Sequence, residues 1–257
     1  MKFFDYLKHR AEAIGSWVCV GLDIDPEKMP PHLRPRQDGV LAFGQEIVRA
    51  TADLALCYKI NAAFFEAQGL MGYHALELLV EGIPEDIPVI YDAKRADIGN
   101  TSEQYARACF DLLGADAITV NPYLGRDAIE PFLEYEQRGV FVLGATSNPG
   151  AKDFQNLYCD GKPLYEHVAR QVSQWNERGN CGLVVGATRG EVLRQLRQVA
   201  PDLPFLVPGV EAQGGDLEEV ARWGRTDSGV PPIINSSRGI HVQPPCLYAL
   251  STPFQTV

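Results

Sequence analysis

Short apolar runs recur along the whole chain, and stretches with helical periodicity separate them. Eight of the runs have the length and composition of buried β-strands. They cover residues 17–22, 56–60, 88–91, 117–120, 140–143, 183–185, 205–207 and 232–234. Between the runs, apolar residues lie three or four positions apart, as in the set Tyr105, Ala108, Cys109 and Leu112. This spacing predicts amphipathic helices.

Continuous apolar strands that alternate with amphipathic helices predict a parallel sheet covered by helices. Eight such units predict closure into a (β/α)8 barrel, and a doubly wound open sheet is the alternative. No internal repeat, low-complexity segment or linker interrupts the pattern, so we expect one domain over residues 1–257.

Local signals mark one helix and one long connection. Thr101 and Gln104 have the spacing of a capping box, and Gly114 follows the last periodic residue, which predicts a helix over 101–113.

The polar connection from residue 144 to 163 is long for a compact domain, which is typical of a lid.

The charge balance limits the partners of the chain. With 33 acidic and 23 basic residues, the formal net charge is −10, whereas nucleic acid and anionic membranes require a positive surface. An anionic small molecule is compatible with this balance where positive charge is concentrated locally. Residues 1–10 carry charges throughout, unlike a signal peptide, and no run approaches the ~18 apolar residues of a membrane span. We expect a cytoplasmic protein with no nucleic-acid or membrane partner.

Cysteine and histidine spacing does not indicate a metal site. The cysteines are scattered, without a C-x-x-C pair, at Cys19, Cys57, Cys109, Cys159, Cys181 and Cys246. We expect reduced core thiols, with disulfides or zinc as the alternative. The histidines lack metal-ligand spacing as well, at His9, His32, His74, His167 and His241.

The most informative segment is 92–97, where two carboxylates flank a lysine in a D-x-K-x-x-D string. An apolar strand precedes it and a helix signal follows, so the charges occupy a strand-to-helix loop. The carboxyl ends of barrel strands converge on one face, where barrel enzymes carry their active sites. The alternative is a solvated loop, in which such an ion pair contributes ~0 to 1 kcal/mol.

Lys59 lies inside an apolar strand run, where an unpaired buried charge would be costly. Asp92, one strand over, would be its partner, and extension of the side chain to solvent is the alternative. We therefore predict an alternating chain of charges formed by Lys59, Asp92, Lys94 and Asp97. A carboxylate beside a substrate carboxylate destabilises the ground state, and an adjacent ammonium stabilises and protonates a carbanion. The network suits decarboxylation without a metal or an organic cofactor.

Other strand ends also carry polar residues, namely Asp23, Asn61, Asn121 and Ser147. The Gly-rich turns 208–215 and 236–239 follow the last two strands, the usual position of a barrel phosphate site. There, backbone amides and Arg238 would hold a dianion, with Gln213 as a neutral donor.

Taken together, these residues resemble the orotidine 5'-phosphate decarboxylase family, and in particular its longer bacterial subgroup. The segments that carry the resemblance are 21–23 (GLD), 58–61 (YKIN), 92–98 (DAKRADI), 121–125 (NPYLG), 145–150 (ATSNPG) and 208–215 (PGVEAQGG). The resemblance implies a barrel of the ribulose-phosphate-binding type that converts orotidine 5'-monophosphate to uridine 5'-monophosphate and carbon dioxide.

The resemblance also implies a homodimer with shared active sites. Lys59, Asp92 and Lys94 would come from one subunit and Asp97 from the other, and Lys94 would protonate C6. The remaining implied contacts are Asp23 and Thr101 with the ribose, Ser147 with the pyrimidine, Ile98 with an apolar pocket, and Pro208, Gln213, Ser237 and Arg238 with the phosphate. The loop after the seventh strand would close over the nucleotide.

Two other functions stay open at this point. One is a related phosphate-binding barrel that uses magnesium to decarboxylate or condense keto-sugar phosphates, although Lys59 occupies a position where such enzymes need an acidic ligand. The other is a catalytically silent nucleotide-binding barrel, against which the retention of all four charges argues.

Overall fold

Eight parallel strands close into a barrel in this computed structural model, which describes residues 1–187, 190–210 and 217–241. The barrel strands are β1 (Val18–Gly21), β2 (Cys57–Asn61), β3 (Val89–Arg95), β4 (Ala117–Val120), β5 (Gly139–Ala145), β8 (Cys181–Val185), β9 (Phe205–Pro208) and β10 (Ile233–Ser236). A separate antiparallel pair consists of β6 (Tyr158–Cys159) and β7 (Lys162–Pro163). β1 pairs with both β2 and β10, so the sheet has no free edge. The predicted barrel is confirmed, and the open-sheet alternative is wrong.

Helices connect the strands and cover the outside of the barrel. The α-helices are α1 (Phe3–Ile14), α2 (Gly39–Thr51), α3 (Ala62–Glu66), α4 (Gly69–Glu81), α5 (Gly99–Arg107), α6 (Glu130–Leu133), α7 (Ala151–Phe154), α8 (Leu164–Trp175), α9 (Gly190–Val199), α10 (Leu217–Gly224) and α11 (Arg238–His241). Short 3-10 turns cover Pro122–Leu124 and Asn176–Arg178, and a π-helical turn covers Ala108–Leu112. No helix within the described ranges is both long and apolar enough to cross a membrane.

Two apolar clusters indicate which face of the barrel carries the polar strand ends. The larger one fills the space between the strands and the outer helices. The smaller one joins α1 to residues near the amino ends of the strands, including Ile90 and Phe141. Phe3 and Phe4 both contact the Phe141 ring edge-on, with centroids 6.0 and 5.5 Å away. Because α1 covers the amino ends, the polar residues at the carboxyl ends occupy the opposite face.

The predicted capping box at Thr101 is wrong. Helix α5 begins two residues earlier, at Gly99, with Ile98 as its N-cap and no side-chain cap bond. The Thr101 amide therefore already lies in the first turn, where it donates to the Ile98 carbonyl at 3.3 Å. The α-helical part ends at Arg107 and continues as the π-helical turn, and Gly114 adopts a left-handed conformation (φ 76°) as the chain leaves it.

The long connection at 144–163 carries secondary structure of its own. It contains α7 and the β6–β7 hairpin. The Thr146 amide, near the start of the connection, donates a hydrogen bond to the Gln155 side chain at 2.8 Å, which links these two parts of the segment. The function of this segment as a lid stays a prediction.

The five described cysteines are free thiols, as expected. Four of them are buried, but Cys159 lies exposed on the hairpin, so its predicted place in the core is wrong. Cys246 lies outside the described residues.

Candidate active site

A lysine–aspartate–lysine cluster lies at the carboxyl ends of β2 and β3. Lys59 Nζ is 2.9 Å from Asp92 Oδ2, and Lys94 Nζ is 2.6 Å from Asp92 Oδ1. The register of the two strands aligns Asn61 with Asp92, two residues after Lys59, and the Lys59 side chain reaches the carboxylate. Lys59 and Asp92 are buried, whereas the Lys94 side chain is 47% exposed. The predicted contact between Lys59 and Asp92 is formed, and the extension of Lys59 to solvent is wrong.

The surrounding charges stabilise the ionised forms of Asp92 and Lys59. Burial opposes ionisation of Asp92 most strongly, but the Lys59 and Lys94 ammonium groups together hold its pKa well below the usual range. Burial likewise disfavours the Lys59 ammonium, yet Asp92 and Asp23 raise its pKa above the usual value. The cluster therefore holds a carboxylate between two ammonium groups, with Asp92 and Lys59 buried and Lys94 half-exposed.

Asp23 extends the cluster on the side of β1. Its Oδ1 atom lies 3.5 Å from Lys59 Nζ and has no hydrogen-bond partner within the described residues, although the atom is buried. A buried carboxylate oxygen usually has a donor. Asp23 is therefore an acceptor available to a bound molecule.

The backbone at Lys94 has a left-handed conformation, with φ 49°, which is uncommon for any residue other than glycine. The register between β3 and β4 shifts between Tyr91 and Arg95, so the strand bulges at the lysine. Thr119 on β4 spans this bulge: its Oγ1 accepts from the Lys94 amide at 3.0 Å and donates to Asp92 Oδ1 at 2.8 Å. Sequence reasoning missed Thr119. Its hydroxyl in an otherwise apolar strand, one strand over from Asp92, is the signal that marks it.

Asp97 does not join the cluster within this chain. The residue is half-buried, its Oδ1 accepts from the Ile98 amide at 2.8 Å, and it forms no ion pair with any described residue. The predicted four-charge chain is thus not formed within this chain, because the backbone turns into α5 directly after β3. Ile98, with 62% of its surface exposed, and Thr101 lie beside Asp97 on the exposed start of α5.

Arg95 had no role in the sequence pattern, and the structure gives it one. Its guanidinium pairs with the Glu66 carboxylate on α3 and lies over the Tyr105 ring, 5.1 Å from the centroid. Its carbonyl accepts from the Asn121 amide at 3.0 Å. Arg95 thereby fixes the end of β3 to α3, α5 and β4.

The predicted phosphate-binding residues lie at the ends of the last two strands. Pro208 ends β9, Ser237 follows β10, and Arg238 begins α11 as an exposed residue without an ion pair among the described residues. Ser147 follows β5 on the same face. Gln213 lies outside the described residues.

The position of Gly21, where β1 pairs with β10, leaves no space for a side chain. A Cβ atom on Gly21 would lie 2.0 Å from Ser237 Oγ and 3.0 Å from Asn235 Oδ1. Asn235, which the sequence analysis missed, is buried on β10 and donates to Ser237 Oγ at 3.3 Å. The missing side chain of Gly21 thus makes room for the serine that precedes Arg238.

A family model for orotidine 5'-phosphate decarboxylase / HUMPS matches residues 16–245, which is most of the chain. The chain belongs to this family. An orotidine 5'-phosphate decarboxylase from Roseiflexus sp. (strain RS-1) is 51% identical over 227 residues, which cover 88% of this chain and 83% of that protein.

Two solved structures that are similar to this chain have the same fold. The Leishmania donovani OMP decarboxylase is 39% identical with a TM-score of 0.87, and the match covers 97% of this chain and 94% of that one. The Leishmania donovani UMP synthase is 41% identical with a TM-score of 0.89, and this chain spans 54% of its length. These relatives support neither the magnesium-dependent keto-sugar-phosphate enzymes nor a silent barrel.

Among the residues that the structure describes, no group of three His, Cys, Asp or Glu side chains is arranged to hold a metal ion. The charged groups of this family member instead alternate in sign along Asp23, Lys59, Asp92 and Lys94. In this arrangement each carboxylate is neutralised by an ammonium group.

Proposed function

We propose that this chain, an orotidine 5'-phosphate decarboxylase by its family and its curated relatives, removes carbon dioxide from orotidine 5'-monophosphate through Asp92 and Lys94. The observation that carries the proposal is the contact of Lys94 Nζ with Asp92 Oδ1 at 2.6 Å. The contact places an anion and a proton donor side by side at the open end of the barrel. The product is uridine 5'-monophosphate, which belongs to pyrimidine nucleotide synthesis.

The reaction needs one bond cleavage and one proton transfer. The substrate carboxylate binds near Asp92, and repulsion between the two anions favours departure of the carboxylate as neutral carbon dioxide. The electron pair of the broken bond stays on C6, beside the Lys94 ammonium. Lys94 then transfers one proton to C6 and regains a proton from solvent, which its half-exposed side chain allows. No metal or organic cofactor takes part in these steps.

Binding of the rest of the nucleotide organises the reacting centre. Asp23, with its available Oδ1, accepts from ribose hydroxyls, and Ser147 contacts the pyrimidine. Arg238, Ser237, Pro208 and Gln213 hold the phosphate. Because the phosphate lies far from C6 in the substrate, the energy of binding it contributes by orienting the substrate and closing the site.

The active form is a homodimer in the cytoplasm. Asp97, Ile98 and Thr101 contact the substrate bound to the other subunit, so each site is completed by its partner. Two features support this arrangement: Asp97 lacks an ion pair among the described residues, and Ile98 is 62% exposed although it is apolar. A second copy would cover Ile98 and place Asp97 next to a lysine.

The test is an ultraviolet assay of orotidine 5'-monophosphate with the purified protein in excess EDTA, beside a Lys94→Ala control. Loss of the orotate absorbance with the wild type alone supports cofactor-free decarboxylation through Lys94. Persistence of the absorbance with both proteins contradicts the proposal.

A further inference from the structure

Thr119 occupies a buried position beside Asp92 and the backbone of Lys94, the two residues of the proposed reaction. It lies on β4, only 1% exposed, and neighbours Phe141 of β5 in the sheet. Its Oγ1 atom is 3.0 Å from the Lys94 amide nitrogen and 2.8 Å from Asp92 Oδ1. The same hydroxyl therefore bonds to the backbone of one reacting residue and to the side chain of the other.

The direction of both hydrogen bonds follows from the chemistry of the groups. The Lys94 amide has only a proton to give, so Oγ1 accepts it. The hydroxyl has one proton, and it donates that proton to the Asp92 carboxylate, which is ionised and accepts only. Bonds to a charged acceptor in a buried site are stronger than neutral ones. The link is therefore fixed in one orientation, and its burial prevents a water molecule from replacing it.

The Lys94 backbone needs such a partner. The left-handed backbone conformation of Lys94 costs a residue with a Cβ atom ~1 to 2 kcal/mol. The bulge therefore persists only because neighbouring contacts hold it. The Thr119 hydroxyl is the partner of the Lys94 amide at this bulge. The direction in which the lysine side chain leaves the backbone depends on the same geometry.

We propose that Thr119 is a positioning residue: its hydroxyl holds the Lys94 backbone in the bulged conformation and fixes Oδ1 of Asp92, so that the ammonium group meets C6 at the correct place. The inference rests on the proposed decarboxylation and adds a residue to it. Thr119 is buried and acts through Lys94 and Asp92, and Lys59 still holds Oδ2 of Asp92 when the Thr119 hydroxyl is removed. Loss of the hydroxyl thus affects proton delivery and not nucleotide binding.

Three variants test the proposal. Thr119→Val has nearly the same shape but no hydroxyl, Thr119→Ala lacks the hydroxyl without filling the space, and Thr119→Ser keeps the hydroxyl. We expect Thr119→Val and Thr119→Ala to lower kcat by about 10- to 100-fold, the range for loss of a hydrogen bond to a charged group, and to leave the Kd of uridine 5'-monophosphate within about 3-fold. We expect Thr119→Ser to stay within about 3-fold of the wild type in kcat.

The outcomes separate this inference from the proposed function. If the wild type does not decarboxylate orotidine 5'-monophosphate, the proposed function fails. If the wild type is active and both Thr119→Val and Thr119→Ala match it in kcat, the inference on Thr119 is overturned. An equal loss of kcat and of product affinity, without rescue by Thr119→Ser, points to general damage to the barrel and also overturns it. Should Thr119→Val not fold, Thr119→Ala gives the decision.

Discussion

Lys59 Nζ and Asp92 Oδ2 lie 2.9 Å apart in a buried ion pair that joins two neighbouring barrel strands. The carboxylate of this pair also binds Lys94 and Thr119 through its other oxygen. One aspartate thus orders three side chains, and this relationship determines the stability of the site as well as its chemistry.

We predict that Asp92→Asn destabilises the protein in a pH-dependent way. Removal of the Asp92 charge leaves the buried Lys59 ammonium with only the more distant Asp23 carboxylate, which costs ~3 to 5 kcal/mol at neutral pH. The pKa of Asp92 is lower in the folded than in the unfolded state, so its contribution is complete above the unfolded value of ~3.9 and decreases progressively as the pH falls from there toward the folded value. Urea unfolding from pH 6 to pH 3 measures the difference between wild type and variant, which should shrink below about pH 4. A constant difference would contradict the pairing.

We predict that Gly21→Ala disturbs the turn before Arg238. The added Cβ would lie 2.0 Å from Ser237 Oγ, and overpacking of this kind costs ~1 to 3 kcal/mol. Both the free energy of unfolding and kcat/KM should fall. Ser237→Gly removes the atom in conflict, so the double variant should be more stable than the sum of the single effects by ~1 kcal/mol or more. Simple additivity would show that another contact excludes the side chain.

We predict that Arg238→Ala lowers kcat/KM for orotidine 5'-monophosphate by about 10- to 100-fold, although Arg238 touches no reacting atom. Orotidine, which lacks the phosphate, serves as the matched substrate, and its slower turnover should be the same in the variant and the wild type. Arg194→Ala provides the control, because Arg194 is an exposed arginine on α9 that pairs with Glu191. Equal losses with both substrates would refute the phosphate contact.

We predict that two inactive variants restore activity when mixed. In a homodimer with shared sites, a hybrid of Lys94→Ala and Asp97→Ala subunits has one site with both substitutions and one intact site. Random exchange of subunits should therefore return about one quarter of the wild-type activity. The measurement is decarboxylation after the two proteins are mixed, unfolded in urea and refolded together. No recovery, with dimers present, would place Asp97 in the same site as Lys94 of its own chain.

Much of this fold follows from local patterns. Each apolar run became a barrel strand because a strand buried on both faces can contain few polar residues. Lys59 is the charged exception in these strands, and it is tolerated because Asp92 on the neighbouring strand neutralises it. The start of α5 was predicted incorrectly, since the capping signal at Thr101 is local, whereas the bulge of β3 that sets the helix start depends on β4.

The sequence by itself determined the eight strands, the face on which their polar ends meet and the pairing of Lys59 with Asp92. Only the tertiary structure decided the left-handed turn at Lys94, its hydrogen bond to Thr119, the separation of Asp97 from the cluster and the close approach of Gly21 to Ser237. The physical reason is that the hydrophobic pattern of a strand depends on residues adjacent in sequence. The contacts named here instead join residues on different strands, and the register of those strands is fixed only when the barrel closes. Residues 21 and 237 meet because β1 pairs with β10, and no local pattern records that distance.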